Sequence, residues 1–256
     1  MSGHSKWANI KRKKTANDAE RGKIFTKIAK EMAVAVRAGG PDPDGNFRLK
    51  LCIQKAKANN MPADNINRCI QKAAGLSDNA AIEEFNYEGY GPGGVAILCE
   101  MMTDNRNRTA SEIRYIFSRN NGNLGETGCV GYLFERKGEI TVKMDGLEEE
   151  ELMLAVLDAG AEDMTVEPGI EDEPDRAIII TSPSDLQAVQ EALIAAGIPV
   201  ENGENIMQPS NSVPIDDEDT AMKLMKLIEV LEDNDDVSAV YANYDISEEI
   251  MAQLEC

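Results

Sequence analysis

The chain has 256 residues, which is roughly twice the commonest domain size and makes two or three domains the expectation. Its 26 basic and 46 acidic side chains give a formal charge of −20, with a single histidine, and an acidic total of that kind argues against nucleic acid. The distribution argues the other way: residues 1–75 hold 16 basic and 6 acidic side chains, net +10, whereas residues 76–256 hold 10 and 40, net −30. Such a split marks an end that binds nucleic acid or a membrane surface. A spanning helix needs an apolar run of about 18 residues or more, and neither that nor a charged-then-apolar leader is present. A soluble, cytoplasmic protein without membrane partners is therefore expected. The five cysteines have no CxxC spacing. Cys52 and Cys69 fall at helical spacing among apolar residues, as small core side chains do.

In chain order, Ser5 to Asn17 is polar and basic with little periodicity and reads as an arm. Ile24, Phe25, Ile28, Ala29, Met32 and Val36 then recur at spacings of three and four, and Gly39-Gly40-Pro41 ends that helix. A second helix is predicted from Asn46, as its cap, to Asn59. A third, with Pro62 in its first turn, ends before Gly75. The three helices are expected to form a small bundle.

Beyond Gly75 the period changes to two. Tyr87 to Val95 reads as a hairpin turn leading into a strand over Val95–Met102 that is apolar on both faces. A helix near Arg106–Ser118 and a strand near Val130–Phe134 follow. Residues 138–204 then spell βαββαβ, with strands near 139–144, 163–166, 177–181 and 198–200 and helices near 148–159 and 183–196. Ser182 is the predicted cap of the second of these helices. A strand near 205–213, a helix over 216–232 and a strand over 237–244 complete the earlier unit. The expected fold class is multidomain α+β: an N-terminal three-helix bundle (1–75) and two ferredoxin-like domains. The outer one comprises 76–136 and 205–246, and the other (137–204) is inserted into it.

Met1-Ser-Gly-His-Ser-Lys-Trp-Ala-Asn-Ile10, Arg21-Gly-Lys-Ile-Phe25, Tyr87-Glu-Gly-Tyr-Gly-Pro-Gly-Gly94 and Asp104-Asn-Arg-Asn-Arg-Thr109 stand in order along the chain. Together they resemble the YebC family, whose relatives include the mitochondrial translational activator of cytochrome oxidase subunit I. The likeness covers essentially the whole chain. It implies three domains and a non-enzymatic role in gene expression. Members are described as probable transcriptional regulators that bind DNA, and some as translation factors that act on the ribosome, including at proline-rich stretches.

The residues carry their own argument for nucleic acid. Lys6, Lys11, Arg12, Lys13, Lys14, Arg21, Lys23, Lys27 and Lys30 put nine cations against two acids in the first 30 residues. Engaging about six of them on phosphates would give a log K against log salt slope of roughly −4 to −6. The acidic remainder is screened over more than about 8 Å and so does not cancel this attraction, but it repels phosphate and sets which end docks. Trp7 within the arm either stacks on an unpaired base or anchors the arm to the bundle. On the third helix Asn65, Arg68, Gln71 and Lys72 lie on one side. That side either reads base edges in a major groove or is an ordinary solvated face. Arg106 and Arg108 stand at a predicted helix start, where cations oppose the macrodipole by about 0.3–1 kcal/mol each. They either meet a phosphate or brace a loop.

Signals for catalysis fail on context. Gly89-Tyr-Gly-Pro-Gly-Gly94 spells GxGxxG, but a strand follows where a dinucleotide site needs a helix. Glu148–Glu151 and Asp216–Asp219 begin predicted helices, where carboxylates are favoured. Asp233-Asn-Asp-Asp236 lacks the glycine and terminal glutamate of a calcium loop. His4 has no fixed partner. Val130, Tyr132 and Phe134 alternate where an RNA-recognition fold places stacking aromatics, but the leading Lys or Arg of that motif is absent and ordinary core packing is the better explanation. No enzyme activity, metal or cofactor is expected. The expected partners are duplex DNA, for a transcriptional regulator, or ribosomal RNA, for a translation factor. In a third reading the acidic lobe is an adaptor for a basic protein.

Overall fold

The computed structural model describes residues 18–75, 82–169, 174–247 and 249–251. The described residues form two compact units. Unit 1 holds those up to Val34, Gly75–Glu135 and those from Pro209; unit 2 holds Ala35–Ala74 and Arg136–Gln208.

In unit 1, β1 (Glu83–Tyr90) and β2 (Ala96–Thr103) form an antiparallel hairpin. Its turn is a short 3-10 segment, Pro92–Gly94. Gly93 sits at φ +73°, and a Cβ there would come within 2.6 Å of Ile215 Cδ1, so the turn requires glycine. A strand, not a helix, follows this glycine-rich run. The helix α4 (Arg106–Arg119) and the two-residue β3 (Asn123–Leu124) come next. After unit 2 the chain returns through β8 (Val213–Ile215), α7 (Glu218–Asp233), β9 (Val237–Ala242) and β10 (Tyr244–Ile246). The sheet order is β3-β1-β2-β9, and β8 pairs in parallel with β10. Asn105 and Asp217 cap the two helices by accepting from the Arg108 and Thr220 backbone N–H groups.

Helices α4 and α7 pack on one sheet face through Ile113, Phe117, Leu224, Leu227, Ile228 and Leu231, against Ile97, Cys99 and Met101. Ala96, Leu98 and Met102, which point to the opposite face, are buried as well, as the two-sided apolar pattern predicts. Truncating a side chain such as Leu224 would cost about 2–5 kcal/mol. The first part of α1 (Asp18–Gly39) belongs to this unit and buries Ile28 and Met32.

Unit 2 contains β4 (Phe134–Lys143, from Arg136), α5 (Glu149–Asp158), β5 (Asp163–Glu167), β6 (Arg176–Thr181), α6 (Leu186–Ala195) and β7 (Val200–Pro209, up to Gln208). The order β5-β6-β4-β7 is the ferredoxin-like arrangement of a βαββαβ chain. Ile140, Val142, Ala177 and Ile179 meet Leu152, Val156, Leu186, Val189 and Leu193 of the helices. The unit also holds α2 (Phe47–Ala58), capped by Asn46, and α3 (Ala63–Ala74). Leu51 of α2 joins this core. The Asn59–Met61 turn closes α2, with Asn60 at φ +57° and Met61 N–H donating to Ala56 O.

Three sequence expectations need correction. Val130–Phe134 is not a strand: Gly131–Leu133 is a 3-10 turn, Tyr132 is 74% exposed, and the strand starts at Phe134 and runs on to Lys143. The aromatic alternation on one face is therefore absent. The separate strands expected near 198–200 and 205–213 are one continuous strand, Val200–Pro209, followed by the short Val213–Ile215. Helix α6 starts three residues later than expected: Ser182–Asp185 forms a turn in which Asp185 N–H donates to Ser182 Oγ, and Asp185, not Ser182, is the cap residue.

Candidate nucleic-acid interface

The cations of α1 face the end of α7 and the loop that leads into β9. Lys23 pairs with Asp233 at 3.2 Å, and Lys27 Nζ donates to the Glu232 carbonyl. Lys30 Nζ reaches Asp236 Oδ1 at 2.7 Å and the Asp235 carbonyl at 2.8 Å. Arg21 is exposed one turn before them. Periodicity turns the apolar stripe of α1 inward and so brings these lysines onto the neighbouring side.

Asp236 is the centre of this region. Its other oxygen, Oδ2, accepts from Arg108 Nη2 at 2.7 Å, Thr109 Oγ1 at 2.8 Å and Thr103 Oγ1 at 3.1 Å. The side chain is only 5% exposed. Burial pushes its carboxyl up, but the hydrogen bonds from Arg108, Lys30 and Thr109, with the charge of Lys30, outweigh that effect and hold it well below the usual carboxylate range. Arg108 also meets Asp104 at 3.1 Å. Arg106 lies 4.3 Å above the Phe85 ring and 3.7 Å from Glu83. The run Asp104–Thr109 thus has a local explanation: Asn105 caps the helix, Arg108 and Thr109 hold Asp236, and Arg106 covers the Phe85 ring. Hydrogen bonds to a charged group, worth about 1.5–3 kcal/mol, exceed the dipole penalty of cations at a helix start.

On α3, Arg68, Gln71 and Lys72 are exposed and Asn65 is half-buried, while Ile66 is buried and Cys69 and Ile70 are partly so. These four polar residues do share an outward side, in unit 2. Lys6, Trp7, Lys11, Arg12, Lys13 and Lys14 lie outside the described residues. The structure thus gathers Lys23, Lys27, Lys30 and Arg108 at one protein-facing node, with Arg106 beside it, and leaves the α3 group facing solvent.

Sequence reasoning missed two carboxylates that organise the surroundings. In the sequence Asp236 is only one member of the acidic run Asp233-Asn-Asp-Asp236. Glu88, 6% exposed, accepts from the Gly128, Val130 and Gly131 N–H groups at 2.8, 2.8 and 2.6 Å. Burial pushes its carboxyl up, but these backbone donors prevail and lower it. The available signal is an acid beside Gly89 near the end of a strand, but its partners lie about forty residues away. Among the described residues no group of three or more His, Cys, Asp or Glu is placed to hold a metal ion, and no helix is long and apolar enough to cross a membrane.

A chain with N-terminal helices followed by two α-and-β sheet units, one of them ferredoxin-like, defines a multidomain α+β protein. Residues 5–76 match the family model of the TACO1/YebC protein N-terminal domain, and residues 82–244 that of the TACO1/YebC second and third domain. The chain belongs to the TACO1/YebC family. It is 56% identical over 257 residues to a "probable transcriptional regulatory protein" of Moorella thermoacetica, covering 100% of both chains. It is 55% identical to one of the same description from Syntrophomonas wolfei, covering 99% of this chain and 100% of the other. A crystal structure of a conserved hypothetical protein from Aquifex aeolicus is similar at a TM-score of 0.82 and 48% identity, over 91% of this chain and 94% of that one. The relatives are thus named as regulators, which is not an enzyme class.

Proposed function

We propose that the protein is a non-enzymatic, nucleic-acid-binding regulator of gene expression that acts on duplex DNA as a transcriptional regulator. The observation that carries this reading is the charge asymmetry, net +10 over residues 1–75 against net −30 over the rest. The arm cations Lys6, Lys11, Arg12, Lys13 and Lys14 take the phosphates, and the exposed Arg68, Gln71 and Lys72 of α3 face the bases. Lys27, Lys30 and Arg108, whose charged groups already meet protein acceptors, hold the scaffold. The names of the relatives agree with regulation of transcription.

A second reading, a ribosome-bound translation factor, uses the same arm, with Trp7 stacked on an unpaired base. One observation favours it: an exposed tyrosine among arginines on α4, which suits unpaired bases better than a closed duplex.

Sucrose-gradient sedimentation of a lysate at low and high salt, with gel-shift titration of duplex DNA in parallel, tests both. Sequence-selective duplex binding without ribosomal comigration is the expected result. Salt-sensitive comigration without selective duplex binding would replace the first reading with the second. Capture of basic proteins alone would remove both in favour of an acidic adaptor.

A further inference from the structure

Helix α4 carries Arg106, Arg108, Arg114 and Arg119 against one acid, Glu112, inside a region that is net −30. At about 100° per residue, Thr109, Ile113 and Phe117 point inward and are buried. Asn107, Ser111, Arg114, Tyr115, Ser118 and Arg119 point outward and are exposed. Tyr115 stands at the centre of that outer face and is 66% exposed. Arg119 lies one turn beyond it, within the reach of neighbouring side chains on a helix, and Arg114 is exposed on the adjoining side of the same face. Glu112 sits at the flank, where Asn234 Nδ2 donates to it at 3.1 Å. Neither Arg114 nor Arg119 has an ion-pair partner among the described residues, although carboxylates outnumber cations fourfold in this part of the chain.

Solvated arginines at an acidic surface ordinarily gather carboxylates. Two that do not, set around an exposed aromatic ring and flanked by Ser111 and Ser118, make a local positive surface with a flat π-face at its middle. A polyanion with flat, stackable units matches both the charge and the ring.

We propose that this face of α4 docks single-stranded nucleic acid, with Tyr115 stacked on an unpaired base and Arg114 and Arg119 on the flanking phosphates. The inference rests on the nucleic-acid reading above and adds to it the strand type and a contact outside the arm.

The test uses the full chain and fluorescence anisotropy with a short labelled oligouridine, an oligothymidine and a duplex of similar length. Tyr115→Ala should weaken single-strand binding by about five- to a hundredfold and leave duplex binding nearly unchanged. Tyr115→Phe should bind as the parent does. The pair Arg114→Gln and Arg119→Gln should weaken binding and flatten the log K against log salt slope by about 1 to 2 units. These side chains are exposed, so thermal unfolding should not move; should Tyr115→Ala nevertheless fail to fold, the arginine pair gives the answer. Tighter oligouridine binding assigns RNA, and tighter oligothymidine binding assigns DNA. Parent-like single-strand affinity in both Tyr115→Ala and the arginine pair would overturn this inference and leave the arm reading standing. A parent protein that binds none of the three probes would overturn both.

Discussion

The two ends of α4 use the same residue type in opposite ways. At the start of the helix, Arg106 lies over Phe85, and Arg108 is bonded to the buried Asp236 together with Lys30. Further along, Arg114 and Arg119 face solvent around Tyr115. All four count equally in a charge total, but only the second pair is available to a ligand. The difference is whether the fold brings an acceptor to the cation, and in this case the acceptor comes from a loop 128 residues away. Counting cations thus shows that a region is positive but not which of its charges reach a partner.

The largest effect expected from breaking the inward half of this comparison is at Asp236. Asp236→Ala removes the buried carboxylate that Lys30 and Arg108 share and should cost about 3 kcal/mol in urea unfolding, with little change in the salt slope of nucleic-acid binding. Because the folded-state carboxyl is depressed, its contribution is present above the ordinary carboxylate value of about 4 and is lost as pH falls below it. An Asp236→Asn variant should show a shallower acid limb than the parent, and identical limbs would contradict the assignment. Arg108→Gln, which removes one of the two cations, should cost about half as much by the same assay.

Unit 2 sharpens the comparison with a carboxylate in the opposite environment. Burial pushes Glu139 up to about 7, and the negative charges of Glu204 and Glu167 push the same way. The folded state then holds a proton that the unfolded chain releases, so this group's contribution is full at acidic pH and is lost as pH rises through 7. Glu139→Gln should stabilise the protein by about 1–2 kcal/mol at pH 8 and by much less at pH 5. Thermal scans at the two pH values check this. The smallest effect is expected at the exposed Lys23–Asp233 pair, where Lys23→Ala should change stability by less than about 0.5 kcal/mol.

The elements were legible in the sequence wherever a local signal decides structure. Asn46 caps α2 and the βαββαβ order of unit 2 follows from periodicity, because side chains within a few residues of each other settle both. The failures arise where distant contacts prevail. Gly131 turns the chain because Glu88, on another strand, draws in its N–H, and a Cβ there would stand 3.2 Å from the carboxylate. Strand β7 runs through Gly203, which is buried against Gln190 of α6, so the glycine marks a close approach and not a break. At the candidate site, the positive character of the N-terminal end was visible, whereas the inward role of Lys30 and Arg108 was not, since Asp236 is more than a hundred residues from either. The outer face of α4 was readable in principle: four of the ten cations after residue 75 fall on this one helix.

The central claim is that the cationic N-terminal end is the main grip on polyanion, and that the net acidity of the remainder sets which end docks. Its most direct test is the salt dependence of nucleic-acid binding by the full chain and by a variant carrying Lys11→Ala, Arg12→Ala, Lys13→Ala and Lys14→Ala. The account predicts weaker binding across all sequences and a log K against log salt slope flatter by about 3 units. A slope unchanged by the four substitutions would contradict it.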